Sequence, residues 1–506
     1  MSGPDARVAG PGQEGNAVSR LPVVVVGAGP VGLTLGCELL QRGVPVRVIE
    51  RVDRPHPHAK AIIVWPRGLE ALGRIGVADR VVALGHVIKA QNYHSGPRRL
   101  ARTRFGKLTG TRYPFALSIP QEQTEGVLRQ RFQELGGAIE FGVRLEGFEQ
   151  HADWVRLTVA TADGPREEAC SWLVGCDGAH STVRERLGVP FTGSSYPQQF
   201  LLADGACETA LAQDEAHYFM APSGVLVVVG LPGGLYRVFV SIDPQLPAGD
   251  PVQSVQRAAS ERCPVPLRLV GPQRTGVFRV HRKAAERWRV GRVLLAGDAA
   301  HIHSPAGGQG MNTGIEDASS LAWRLAGVFA GTAGQDDLDR WQSERMHVAR
   351  GVVRDTDQQT RLWMLRGWRS RVRDLLLRGA QRTGLLDRLV VPRQAQLNLA
   401  YPGRRLRAGR LSTGARLPDL PLPRGGWLHD VLQPSGATLL VFGGAAAAAA
   451  AAGGPALRQV RLDSPRLRSA LRVDAGTAAL VRPDAVLAWV GRADDRGGWD
   501  AAARQL

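Results

Sequence analysis

Between residues 22 and 50 the spacing of apolar positions changes twice. Val23–Val26 is an unbroken apolar run, which predicts a strand buried on both faces in a parallel sheet. "VGLTLGCELLQRG" then places apolar residues at helical spacing and stops at Gly43. "VRVIE" returns to strand, so the segment reads as a βαβ unit. "LRQRFQELGG" from Leu128 is a helix ending on glycine. "IEFGVRLEGFEQ" and "WVRLTVATADG" alternate as antiparallel strands do. "SWLVGCDGAH" ends a buried strand in a polar turn. From Phe191 to Phe278 short alternating runs such as "GVLVVVGLPGGLYRVFVSID" predict an antiparallel sheet inserted into the first unit. "GRVLLAGDAAH" resumes a buried strand, and helical spacing holds from about Asn312 to Leu397. Near Gly403 another unit begins, with strands at "ATLLVFGG" and "VLAWVG" and a closing helix at "WDAAARQL".

The expected class is therefore α/β, in three parts. One domain takes residues 21–190 and 279–400, the inserted sheet 191–278, and the C-terminal unit 403–506. Residues 1–20 are polar, without an apolar signal core, and read as a disordered leader of a cytoplasmic protein. The alanine run Ala445–Ala452 reads as a loop or helix extension. No apolar run reaches the ~18 residues of a membrane helix, so no membrane insertion is expected.

Charge changes this picture less than its size suggests. The net charge is +18, but of 64 basic side chains only Lys60, Lys89, Lys107 and Lys283 are lysine. That skew reflects GC-rich codons rather than a phosphate-binding face, so a nucleic-acid partner is not expected. The densest basic stretch, Arg361–Arg382, reads as a solvated amphipathic helix, with an anionic lipid or a partner as the competing reading. Five scattered cysteines without a CxxC pair exclude a disulfide framework and a zinc site.

Candidate chemistry starts at Gly27-Ala28-Gly29-Pro30-Val31-Gly32, a GxGxxG turn between strand and helix. Gly27 permits the tight turn, Gly29 lets a pyrophosphate approach the backbone, and Gly32 lets helix and strand pack closely. The helix start offers N–H groups and a positive dipole end to phosphates. Glu50, followed by Arg51, ends the next strand where its carboxylate would accept hydrogen bonds from a ribose. These features make the first domain Rossmann-type, and spacing leaves NAD and FAD both open.

Two later segments carry a resemblance. "CDGAHSTVR" fits a DGxxSxVR pattern at Asp177, Gly178, Ser181 and Arg184, and its plain reading is an Asp-Gly turn with a Ser N-cap. "LLAGDAAHIHSPAGGQGMNTGIEDA" is the most specific segment. With them, residues 20–400 resemble the flavin aromatic hydroxylases, typified by p-hydroxybenzoate and phenol hydroxylases, and most of all actinomycete enzymes that oxidise polyketides.

The resemblance implies an FAD-binding first domain and a substrate domain in the inserted sheet. It also implies a thioredoxin-like C-terminal domain, where the lack of any cysteine after Cys263 rules out dithiol chemistry and leaves packing or a homodimer contact. It implies that Asp177 orders the nucleotide end and that Asp298 accepts a hydrogen bond from a ribityl hydroxyl. Pro305 would shape the turn beside the ring, and Gly307, Gly308 and Gly310 would let backbone lie against it. Met311 and Asn312 would start a helix whose N–H groups face the ring. Gln121 matches a glutamine near the flavin. Lys60 stands where an arginine usually contacts flavin and reductant phosphates, and lysine loses the bidentate fork.

No catalytic side chain is assigned, because the flavin carries the chemistry. His301 and His303 are the candidates, and at i, i+2 beside Asp298 they do not form a metal set. The implied reaction is hydroxylation of an aromatic small molecule, using FAD, NADPH or NADH as a transient co-substrate, and O₂. Baeyer–Villiger insertion or epoxidation on the same scaffold stays open, as does a non-catalytic flavin-binding protein.

Overall fold

The computed structural model describes residues 21–54, 61–242, 250–403, 405–443 and 457–506. Lys60, the leader and the alanine run lie outside the described residues.

The apolar run Val23–Val26 is strand β1, with all four residues buried. Helix α1 (Pro30–Gln41) follows, then β2 (Val46–Glu50). With β3 (Ile139–Phe141), β4 (Trp172–Gly175), β5 (Arg289–Val290) and β6 (Val293–Leu295) they form one sheet, in the order β5-β6-β4-β1-β2-β3. All its pairs are parallel except the edge pair β5–β6. The C-terminal ends of β1, β4 and β6 therefore lie side by side, where such sheets bind ligands.

The second sheet has eight strands and is larger than the 191–278 segment. Its long strands Phe191–Thr209 and Leu267–Ala285 pair along most of their length. It also takes in Ala90–Ser95 and Arg98–Arg104, because Ala90–Ser95 pairs in parallel with Glu215–Ala221.

The helical region is not continuous. Helix α2 (Gly310–Phe329) packs on α1, α3 spans Asp336–Trp363, and α4 spans Trp368–Arg382. Gly367, at φ 62°, breaks the chain between α3 and α4. A π-helical turn, Leu386–Val390, follows. The C-terminal unit has a four-stranded sheet with its own core around Leu440, Phe442 and Leu471.

That unit is joined to the rest by buried charge. Arg416 pairs with Glu70 (Nε–Oε2 2.6 Å), Arg67 donates to the Asp484 carbonyl (2.9 Å), and Arg482 pairs with Glu344 (2.9 Å). Burial opposes ionisation of Glu70, but the Arg416 guanidinium outweighs it and holds the carboxyl at about 2.

Candidate active site

The glycine turn shows why its residues are glycine. A Cβ on Gly27 (φ +107°) would lie 2.5 Å from the Cys176 carbonyl oxygen, and one on Gly32 2.0 Å from the Gly27 oxygen. A Cβ on Gly29 would meet nothing within 4 Å. Two glycines are thus required by packing, and the middle one faces open space at the start of α1. Glu50 holds the turn from below: Ala28 N–H donates to its Oε2 (2.9 Å) and Val52 N–H to its Oε1 (3.3 Å). Arg51 is exposed beside it.

Asp177 stands behind the same wall. Its Oδ2 accepts from Val183 N–H (3.1 Å), and its buried Oδ1 has no partner among the described residues. Burial raises its pKa. Ser181 caps the short helix Thr182–Arg186 by accepting from Arg184 N–H. Arg184 donates to the carbonyls of Ala299 and Ala179 (both 2.9 Å), so it ties the two motif segments together.

A cavity of about 450 Å³ runs from this turn to the eight-stranded sheet. Of the predicted residues, Gly29, Pro30, Val31, Gln121, Asp298, Pro305, Gly307, Gly308, Gly310 and Met311 line it. Gln121 is fixed by Ala61 N–H, which donates to its Oε1 (3.3 Å), and by its own donation to Glu125 (2.8 Å). Gly307 and Gly308 have φ of +75° and +62°, a conformation disfavoured for residues with a Cβ. Asn312 is not on the cavity surface. Its Oδ1 accepts from Trp65 N–H (2.8 Å), and its Nδ2 donates to the carbonyls of Ile63 and Gly308 (both 2.9 Å). The Trp65 indole N–H donates to Gly307 O (2.8 Å). The side chain of Asn312 is thus a clamp for the glycine loop.

The two histidines separate. His301 turns away from the cavity and pairs with buried Asp317 (2.7 Å), which Arg345 also holds (2.8 Å), while its ring stacks on Trp288. That placement removes it as a candidate base for a substrate in the cavity. His303 lines the cavity, donates from Nδ1 to Ser304 O (2.9 Å), and has an Nε2 with no partner among the described residues. Burial pushes its pKa down to about 4, so the ring is neutral. Among the described residues no group of acids, cysteines and histidines could hold a metal.

The far end of the cavity is mostly apolar, with Val227, Phe239, Phe278 and Trp363. Polar groups there went unread in the sequence. Arg237 lines the chamber and grips Asp204 through Nε (2.6 Å) and Nη2 (2.7 Å). Gln91 donates to Tyr218 OH (3.3 Å) and accepts from Tyr93 OH (3.0 Å). A signal exists for the first pair: one charge interrupts the apolar run "LLADGA" and another interrupts "LYRVFV". Antiparallel register then sets Asp204 opposite Arg237.

These features fit a flavin dinucleotide: open space over Gly29, a buried oxygen on Asp177 with no partner among the described residues, and a channel lined by left-handed glycines. Comparison with known proteins agrees. Residues 20–356 match the family model "FAD binding domain", and residues 411–506 match "Aromatic-ring hydroxylase, C-terminal". The chain is 34% identical over 491 residues to the 12-dehydrotetracycline 5-monooxygenase/anhydrotetracycline 6-monooxygenase of Streptomyces rimosus subsp. rimosus, covering 93% of this chain and 95% of that one. It is 39% identical over 353 residues to the 6-methylpretetramide 4-monooxygenase of Streptomyces rimosus, covering 68% of this chain and 62% of that one. Among solved structures it is similar to the anhydrotetracycline hydroxylase OxyS from Streptomyces rimosus. That likeness has a TM-score of 0.80 and 32% identity, over 96% of this chain and 98% of the other.

Proposed function

Because the chain belongs to the FAD-dependent aromatic-ring hydroxylases, we propose that it hydroxylates a fused-ring, polyketide-type aromatic substrate, with NADPH or NADH as reductant and O₂ as oxidant. The observation that carries this reading is the single cavity joining the dinucleotide turn to the apolar chamber. When bound, FAD would supply the redox chemistry, hydride acceptance and O₂ activation, that these side chains cannot.

The residues have distinct parts in this reading. The N–H groups at the start of α1, beside Gly29, receive the pyrophosphate. Glu50, already fixed by the Ala28 amide, presents its remaining acceptor capacity to the ribose, with Arg51 beside it. Asp298 accepts from the ribityl chain. Pro305, Gly307, Gly308 and Gly310 form the wall against the ring, with Asn312 and Trp65 fixing the loop from behind. The N-terminal N–H groups of α2 would favour negative charge on a flavin held against this wall. Phe239, Phe278 and Trp363 exclude water from the substrate, and Arg237 and Gln91 offer it polar contacts. A thioredoxin-like tail over 403–506 and a cytoplasmic location belong to the same reading, as does a division into an FAD domain and a substrate sheet that runs from 191 to 285 and takes in Ala90–Ser95 and Arg98–Arg104.

The test begins with release of FAD on denaturing the pure protein. Oxidation of NADPH and of NADH is then followed with anhydrotetracycline-type aromatics, and the product is weighed after turnover under ¹⁸O₂. A product heavier by one labelled oxygen, carried as a hydroxyl on the ring, is expected. A protein that binds no flavin overturns the reading. A ring-expanded ester would reassign the reaction to oxygen insertion.

A further inference from the structure

Helix α4 is built the wrong way round for a solvated surface helix. Trp368, Val372, Leu375 and Leu376, at i, i+4, i+7 and i+8, form one stripe. Their exposures are 69%, 45%, 67% and 66%. The opposite face attaches the helix to the protein. There Arg373 is buried and donates to the Trp363 carbonyl, Leu377 and Ala380 pack against the core around Trp363, and Gln381 accepts from Arg102 N–H (2.7 Å). The apolar stripe therefore points outward. Leu385 and Leu389 in the next turn are exposed as well, at 47% and 58%.

Charge frames this stripe with one sign. Arg371, Arg378 and Arg382 run along one flank, and Arg369 on the other lies over the Trp368 ring (5.6 Å). The two acids of the segment are already taken, Asp374 by Arg373 and Asp387 by Lys107. Among the described residues, none of Arg369, Arg371, Arg378 and Arg382 forms an ion pair with a carboxylate.

We propose that α4 and the turn after it dock this protein on the surface of an anionic lipid bilayer. Leucines beside a tryptophan and flanked by arginines match an interfacial helix: Leu375 and Leu376 enter the acyl boundary, Trp368 sits at headgroup level, and the arginines reach the phosphates. A second copy fits worse, since two-fold pairing of this face would set its arginine flanks among like charges. The dock is a surface contact, since no helix among the described residues is long and apolar enough to cross a membrane.

The test is co-sedimentation of the FAD-loaded protein with vesicles of phosphatidylcholine alone and of phosphatidylcholine with phosphatidylglycerol. The wild type should bind the anionic vesicles at least about tenfold better, and added salt should weaken binding by screening. Leu375→Glu with Leu376→Glu, and separately Arg371→Glu with Arg378→Glu, should each abolish binding while flavin content, melting temperature and flavin reduction stay at wild-type levels. These positions lie outside the cavity, so an unchanged flavin spectrum separates a lost dock from a lost fold. Equal binding to both vesicle types, or variants that sediment like the wild type, overturns the proposal. So does a dimer in light scattering that the leucine variant dissociates, because the face then belongs to a second copy.

Discussion

Asp298 lines the cavity, and its proposed contact with the ribityl chain is measurable. Asp298→Ala removes an acceptor and leaves a ribityl hydroxyl unpaired, at roughly 1–3 kcal/mol. FAD affinity, followed by flavin fluorescence, should fall about ten- to a hundredfold. An unchanged affinity removes the assignment. The Asp204–Arg237 pair predicts differently, because both partners are buried. Arg237→Leu strands a carboxylate and should cost about 3–5 kcal/mol in a denaturant titration. Asp204→Leu with Arg237→Leu should recover most of that loss. If the double variant is as unstable as the single, the chamber needs charge there for more than mutual compensation.

The helix Pro66–Arg74 and the start of α2 hold the glycine loop through polar contacts as well as apolar packing. Arg67 reaches both Glu316 on α2 and the carbonyl of Asp484 in the C-terminal unit. Asn312 spans the strand Ile63–Val64 and the loop at Gly308. Asn312→Ala leaves the Trp65 amide and two carbonyls without their partner, a loss of about 2–4 kcal/mol on the usual cost of buried unsatisfied groups. Flavin affinity should drop with stability, although the side chain lies off the cavity surface. Loss of stability with wild-type FAD affinity would show that the loop keeps its shape without the clamp.

The C-terminal unit binds by buried ions on both sides of its interface, so it is expected to be structural. Removing residues 403–506 takes Arg416 from Glu70 and Arg482 from Glu344. The truncated chain should become insoluble or change oligomer size. A folded truncation that keeps FAD but cannot be reduced would instead give the unit a part in the reaction.

Acid should act on the full chain through buried imidazoles, among them two far apart in the fold. Burial pushes His303 in the cavity and His429 in the C-terminal unit from 6.5 to about 4. Unfolding releases each to bind a proton below its unfolded value. Their contribution is therefore complete above pH 6.5 and is lost as pH falls towards 4, roughly 2 kcal/mol each at about pH 5. Guanidinium midpoints at about pH 8 and about pH 5 should show this decline, and His429→Gln should flatten it. A profile that the substitution leaves unchanged would mean that His429 is not held neutral.

Local spacing was enough to read the α/β class and the glycine turn, because each depends on near neighbours: apolar runs, helical periods, and glycines where a Cβ has no room; the loop from Asp298 to Met311 was read only through its resemblance to the flavin hydroxylases. The same locality sets the limits of that reading. Ala90–Ser95 joins the eight-stranded sheet only through its pairing with Glu215–Ala221, a contact across more than a hundred residues. Equivalent-looking His301 and His303 were divided by Asp317 and Arg345, which come from the α2 and α3 helices and hold one ring in a buried hydrogen bond to Asp317. The arginine-rich segment has an amphipathic period, but a period does not say which face is turned inward. Packing against Trp363 and Arg102 decided that, burying Arg373 and Leu377 and leaving Trp368, Leu375 and Leu376 outside. Periodicity along a chain identifies which residues share a face, whereas the direction of that face is set by contacts between segments far apart in sequence.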